Sequence, residues 1–197
     1  MKLTRPPKPA YLDGYKEWGR KYALKKQQGL KPKWHKKIKQ WERLKKDLAE
    51  LTADHCSFCD SYPLAAKNKQ TIEHFRPRSS YPKLAYVWHN LFLCCETCQT
   101  AKGDDFKKNL LKPDAEEYEF NRYFIVNFKT GDIEVNTRGS KKDQERAKIT
   151  IRIYGLNSYG RPKARADHYN WVKNQVRKKK LNKDKDIDIL SYRFMFV

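Results

Sequence analysis

Two Cys-x-x-Cys pairs, Cys56-Ser57-Phe58-Cys59 and Cys95-Glu96-Thr97-Cys98, are the residues of this chain best suited to hold a metal. A CxxC turn presents two sulfurs a chelate's width apart with backbone N–H groups facing them. Two such turns make the closed, tetrahedral four-thiolate site that zinc favours. With no coordination position left open, such a site staples structure and does no catalysis. Residues 60–94 separate the pairs, and a fifth cysteine, Cys94, directly precedes the second pair. Its expected role is that of a small buried apolar side chain. A slipped register, with Cys94 replacing Cys95, gives CxxxC spacing and stays open as an alternative. A redox dithiol would be expected beside a βαβ pattern, which is absent.

Between the pairs lies Thr71-Ile-Glu-His-Phe-Arg-Pro-Arg-Ser79. Adjacent residues on a strand point to opposite sides. Glu73 can therefore face a cation while His74 faces a water to be deprotonated, with Arg76 and Arg78 adding positive charge nearby. Taken alone, a Glu-His step is a weak signal.

The order of motifs is more specific. CxxC comes first, then Ile72-Glu73-His74 with Pro77 and Ser79, then Trp88-His89-Asn90-Leu91, then Cys95/Cys98, Gln99 and Lys102-Gly103. This series resembles the HNH endonuclease family in its zinc-stapled ββα-metal form. More narrowly it resembles the HNH component of retron-associated and Septu-type anti-phage defence systems. The later KPDAEEYEF, GDIEV and Ile-Tyr-Gly-Leu-Asn stretches extend the likeness over most of the chain.

The resemblance implies a metal-dependent nuclease acting on DNA. His74 would be the general base and Glu73 a ligand of a catalytic Mg²⁺ or Mn²⁺. Asn90 would orient the His-bearing loop by hydrogen bonds. Gln99 stands where the family usually has Asn or His as second ligand, and His89 is an alternative ligand close by in sequence. Arg76, Arg78 and Lys102 would contact phosphate. The usual partner is a separate ATPase, and this sequence has no GxxxxGK[ST] of its own. The Gln99 departure motivates a second expectation, a zinc-stapled nucleic-acid-binding or scaffold subunit with a decayed nuclease centre.

The expected fold class is α+β: a small ββα-metal core stapled by zinc, flanked by basic helices and a β-hairpin. The regions are a basic helical segment over 1–54, the nuclease core over 55–113, and a hairpin with a basic helical region over 114–197. Tyr11 to Leu30 reads as one helix ending near Gly29. Lys33 to Leu51 reads as another, with Trp34, Ile38, Trp41, Leu44, Leu48 and Leu51 forming an apolar stripe. Tyr123–Val135 breaks at Thr130-Gly131 like a hairpin. Ala147–Tyr154 fits strand and helix equally. Arg161–Leu181 reads as a basic helix, with Ala164, Tyr169, Trp171, Val172 and Val176 as its apolar contacts.

Composition supports a polyanion partner. The 197 residues carry a net charge of +21, while 13 % aromatic residues argue for a packed core over disorder. Residues 1–50 hold 16 Lys/Arg against 5 Asp/Glu, a balance of 16 − 5 = +11, about half the excess. A second basic block runs from Lys173 to Lys185. No stretch approaches the ~20 apolar residues of a membrane span, and the N-terminus lacks the apolar core of a signal peptide. The expected location is cytoplasmic.

Overall fold

The structure, a computed structural model, describes residues 2–34, 38–64 and 69–197. It is a mixed α+β protein with two short sheets. The helices are α1 (Tyr15–Gln27), α2 (Trp41–Thr52), α3 (Glu96–Lys102), α4 (Phe120–Tyr123), α5 (Lys141–Ile153) and α6 (Arg161–Arg177). The strands are β1 (Gln70–His74), β2 (Leu91–Cys95), β3 (Phe124–Val126) and β4 (Ile133–Val135).

The first two helices follow the expected stripes with shifted starts. Tyr11 to Leu30 resolves into a 3-10 turn, Ala10–Leu12, and then α1, which Gly29 closes at φ 75°. The stripe expected over Lys33–Leu51 buries Trp34, Ile38, Leu44 and Leu48, yet the helix begins only at Trp41. The part of that expectation falling on residues 35–37 lies outside the described residues.

β1 and β2 pair antiparallel, with Gln70 opposite Cys95 and His74 opposite Leu91. All of Leu91–Cys95 is buried, so β2 is the spine of the core. It passes directly into α3, whose first turn is capped by the Cys95 side chain accepting from the Cys98 N–H. Two antiparallel strands followed at once by a helix thus carry Glu73, His74, Cys95, Cys98 and Gln99 within one small unit.

The ambiguous stretch 147–154 is helical. Ser140 caps α5 by accepting from the Asp143 N–H, and Ala147, Thr150 and Ile153 bury one face at three-residue spacing. The hairpin forms as β3–β4. Its turn residue Gly131 has φ 80°, and a Cβ there would lie 1.9 Å from the Pro162 carbonyl oxygen, so only glycine lets the turn meet α6. The α6 helix ends at Arg177. Val172 is buried, but Trp171 is 51 % exposed, and Ala164 and Val176 also face outward. The expectation holds for Val172 and for Tyr169, which packs against the core, and is corrected at Ala164, Trp171 and Val176; Arg161, Arg165 and Ala166 complete the buried face.

Both ends of the described chain fold back onto this centre. Arg5 donates to Asp114 at 2.6 Å and to the carbonyls of Trp88 and Leu91, both at 3.0 Å, with its guanidinium over the Trp88 and Phe92 rings. Near the other end, Arg193 donates from Nη2 to Asp60 Oδ1 at 2.7 Å, and its backbone N–H donates to Oδ2 at 2.7 Å. Asp60 directly follows Cys59, so this buried pair clamps the first cysteine turn. Breaking a buried pair leaves an uncompensated charge and costs about 3–5 kcal/mol, against about 0.3–0.5 for an exposed i,i+4 pair. Arg193→Ala is therefore expected to lower the denaturation midpoint far more than Lys163→Ala, which breaks the exposed pair with Asp167. Equal, small losses in a urea titration would show that the clamp contributes nothing.

Candidate functional site

The four sulfurs of Cys56, Cys59, Cys95 and Cys98 all lie within 4.8 Å of one another, and all four residues are buried. Cys59 Sγ and Cys95 Sγ are 3.8 Å apart. A tetrahedron with the usual 2.3 Å zinc–sulfur bond has an edge of about 3.8 Å, so the spacing fits zinc. Backbone N–H groups face the sulfurs, from Cys95 to Cys56 Sγ and from Cys98 to Cys95 Sγ, each at 3.4 Å. Soft thiolates in this number suit zinc and disfavour the hard cations. The cluster excludes Cys94, whose sulfur lies 3.2 Å from Thr71 Oγ1 in the strand pair. The register using Cys95 is the one that forms.

Four thiolates in a dry interior need positive charge nearby, and the helix α6 brings it. Arg161 donates from Nη1 to the carbonyls of Tyr154 (2.6 Å) and Gly155 (2.9 Å), while its buried Nη2 has no hydrogen-bond partner among the described residues. Burial pulls the guanidinium pKa down, but the charges on Cys98, Cys59, Cys95 and Cys56 outweigh it and leave the pKa raised. From the sequence Arg161 is the first residue of a basic helix and nothing more. No local signal marks it, because its environment is made by residues 56–98.

The second centre is a cleft of about 220 Å³ beside β1, lined among others by Trp34, Pro77, Arg78, Gln99 and Gly103. Glu73 and His74 lie in it, only 4 % and 5 % exposed. His74 Nε2 is 3.0 Å from the Ala85 carbonyl, which can only accept, so Nε2 carries the proton and Nδ1 keeps the lone pair. Trp34 meets the imidazole edge-on, with ring centroids 4.5 Å apart. Burial lowers the His74 pKa to about 4, which leaves the ring neutral at physiological pH. Asn90 stitches the loop that follows. Its Oδ1 accepts from the Arg76 N–H at 2.8 Å, and its Nδ2 donates to the carbonyls of Arg76 (3.0 Å) and Leu84 (3.1 Å).

Lys102 stands elsewhere than expected. It is buried, and its ammonium donates to Glu73 Oε1 at 2.7 Å and to the His74 carbonyl at 3.0 Å. Its charge faces the Glu73 carboxylate and not a solvent-borne phosphate, so the expected phosphate contact is corrected. Burial pushes the Glu73 carboxyl up to about 7, and Lys102 opposes that shift without cancelling it. Gln99 donates from Nε2 to the Ile72 carbonyl at 3.1 Å, which leaves its amide oxygen available in the cleft.

Of the other expected residues, Arg78 lines the cleft and donates to Tyr22 Oη at 3.0 Å. Arg76 is exposed just outside, over the rings of Tyr81 and Phe106. His89 does not line the cleft. Its exposed ring lies 3.8 Å from Asp114 instead. Asp104, which the sequence reading passed over, stands at the cleft mouth and adds a second carboxylate to the same field.

The donors present suit a hard divalent cation only in the sparse manner of Mg²⁺. Glu73 and the Gln99 amide oxygen would hold it, with waters and a substrate phosphate completing the shell. Among the described residues no helix is long and apolar enough to cross a membrane.

No family model matches the chain. A stretch of 72 residues is 31 % identical to the Septu protein PtuB of Bacillus thuringiensis, covering 36 % of this chain and 28 % of that protein. The likeness is distant and spans little more than a quarter of the relative's length.

The zinc reading has a direct consequence. Metal analysis should find one zinc per chain. Chelation or Cys59→Ser should unfold the region around β2, because zinc binding in such sites is folding free energy. Native-like melting of Cys59→Ser would sink it.

Proposed function

We propose that the protein is a metal-dependent HNH-type endonuclease that hydrolyses phosphodiester bonds of DNA, as an effector of an anti-phage defence system acting with a separate ATPase. The observation that carries the chemistry is the neutral His74, with a free Nδ1, held beside Glu73 in a cleft that Arg78 also lines. The motif order and the stretch of identity with a Septu protein support the defence setting.

In this reading His74 Nδ1 takes a proton from water as its oxygen attacks phosphorus and the bond to the 3′-oxygen breaks. The Ala85 carbonyl fixes the tautomer, Trp34 fixes the ring plane, and Asn90 holds the loop. Arg78 and Arg76 supply positive charge where the phosphate arrives. A divalent cation at Glu73 and Gln99 would neutralise charge on the phosphate and the leaving oxygen. Lys102 keeps Glu73 oriented and partly compensated while the cation is away.

The same ion pair favours a second reading. An ammonium at 2.7 Å from Glu73 occupies part of the carboxylate that a cation needs, as expected for a binding module whose centre has decayed. Plasmid nicking in Mg²⁺ and Mn²⁺ separates the two. The nuclease reading expects nicking by the wild type and a loss of about 10²–10⁴-fold in His74→Asn, with binding retained. Binding without nicking, alone and with the ATPase, would establish the module instead.

The two pKa directions set the pH profile. His74 is already neutral above about 4, whereas Glu73 gains its charge only as pH rises through about 7. Cleavage at limiting Mg²⁺ should therefore climb through neutrality. A rate unchanged from about pH 8 to about pH 5 would separate Glu73 ionisation from the reaction.

A further inference from the structure

The cleft at His74 is the end of a longer trough. Past Trp34 and Arg78 it joins a hollow of about 260 Å³ that these residues share, and Tyr22, Pro32 and Lys33 carry the surface on into another of about 610 Å³ along α1. The cations on its walls are largely unspent. Lys21 pairs with Glu17, but Lys25, Lys26, Lys31 and Lys33 make no ion pair among the described residues.

The floor is packed from aromatic rings, of which Trp18 keeps some surface while Tyr22, Trp34 and Tyr86 are buried. Trp18, Tyr22 and Trp34 each meet Tyr86 edge-on, with centroids 5.7, 6.0 and 6.2 Å apart. Leu24 sits on the rim at 57 % exposure, an apolar side chain left to water between lysines. The trough is also preformed, because α1 is pressed onto the turn Pro82–Leu84. A Cβ on Gly19 would lie 2.4 Å from the Lys83 carbonyl oxygen. Ala85, which holds His74, follows that turn directly.

We infer that this trough seats a single nucleic-acid strand and feeds it to the cleft. Unpaired cations suit phosphates, and the part-exposed Trp18 ring with the exposed Leu24 suits the faces of unstacked bases. A duplex hides those faces and presents phosphates alone, so the floor would go unused. The recessed His74 and Glu73 likewise favour a flexible strand. The inference rests on the nuclease reading for its direction of travel, though not for the binding itself.

Fluorescence anisotropy on His74→Asn, without added Mg²⁺, tests the binding apart from the chemistry, using a roughly 20-nucleotide strand and its blunt duplex. The strand should bind tighter than the duplex. Lys25→Glu with Lys33→Glu should weaken strand binding by about tenfold or more and flatten its salt slope by about 1–2. The exposed pair Lys178→Glu with Lys180→Glu, at the end of α6, should change it by no more than about threefold. Duplex binding at least as tight, or equal losses from both charge pairs, would overturn the trough. Strand preference with no nicking by the wild type would leave the trough standing and sink the nuclease reading alone.

Discussion

Four buried sulfurs hold this molecule together. They join the turn after α2 to the end of β2 and the first turn of α3, so one cluster sets the distance between the N-terminal helices and the strand pair. A core of modest size, in a chain with a third of its residues charged, gains much from such a cross-link. The surrounding structure serves the cluster in turn. Asp60 and Arg193 clamp the first turn from outside, β2 buries the second, and Arg161 adds positive charge near the sulfurs in a dry interior.

The same constraint reaches the cleft. Because Cys95 ends β2 and Cys98 lies in the first turn of α3, Gln99 and Lys102 emerge just past the sulfur cluster, beside β1. There Lys102 meets Glu73, and a buried carboxylate with a raised pKa becomes tolerable. The four-cysteine cluster and the cleft are thus one mechanical unit. The cluster fixes the helix that brings Gln99 to the cleft wall and Lys102 to Glu73.

Sequence reading went furthest where chemistry depends on local spacing. Two CxxC pairs specify a four-thiolate cluster because each turn is self-contained, and Thr130-Gly131 marks a turn because its left-handed backbone leaves few residue choices. It failed where a side chain's role depends on what approaches it from far along the chain. Lys102 looked like a surface cation until β1 was laid against α3. Trp171 and Val176 looked like contacts until α6 turned Arg161 and Arg165 inward. His89, close to Asn90 in sequence, was carried to the Asp114 side by a single 3-10 turn.

By itself, the sequence determined which four cysteines form a cluster suited to zinc, the α+β class, the hairpin and the concentration of positive charge, all consequences of residue type and short-range periodicity. Only the tertiary structure decided where that charge is spent. It buried Lys102 against Glu73, drew Arg161 toward the cysteine sulfurs, and left Lys25, Lys26, Lys31 and Lys33 without an ion pair among the described residues, around an aromatic trough. The reason is electrostatic. A lysine's role is set by whether a carboxylate, a sulfur or water lies within a few ångströms, and these neighbours are chosen by folding, not by spacing along the chain.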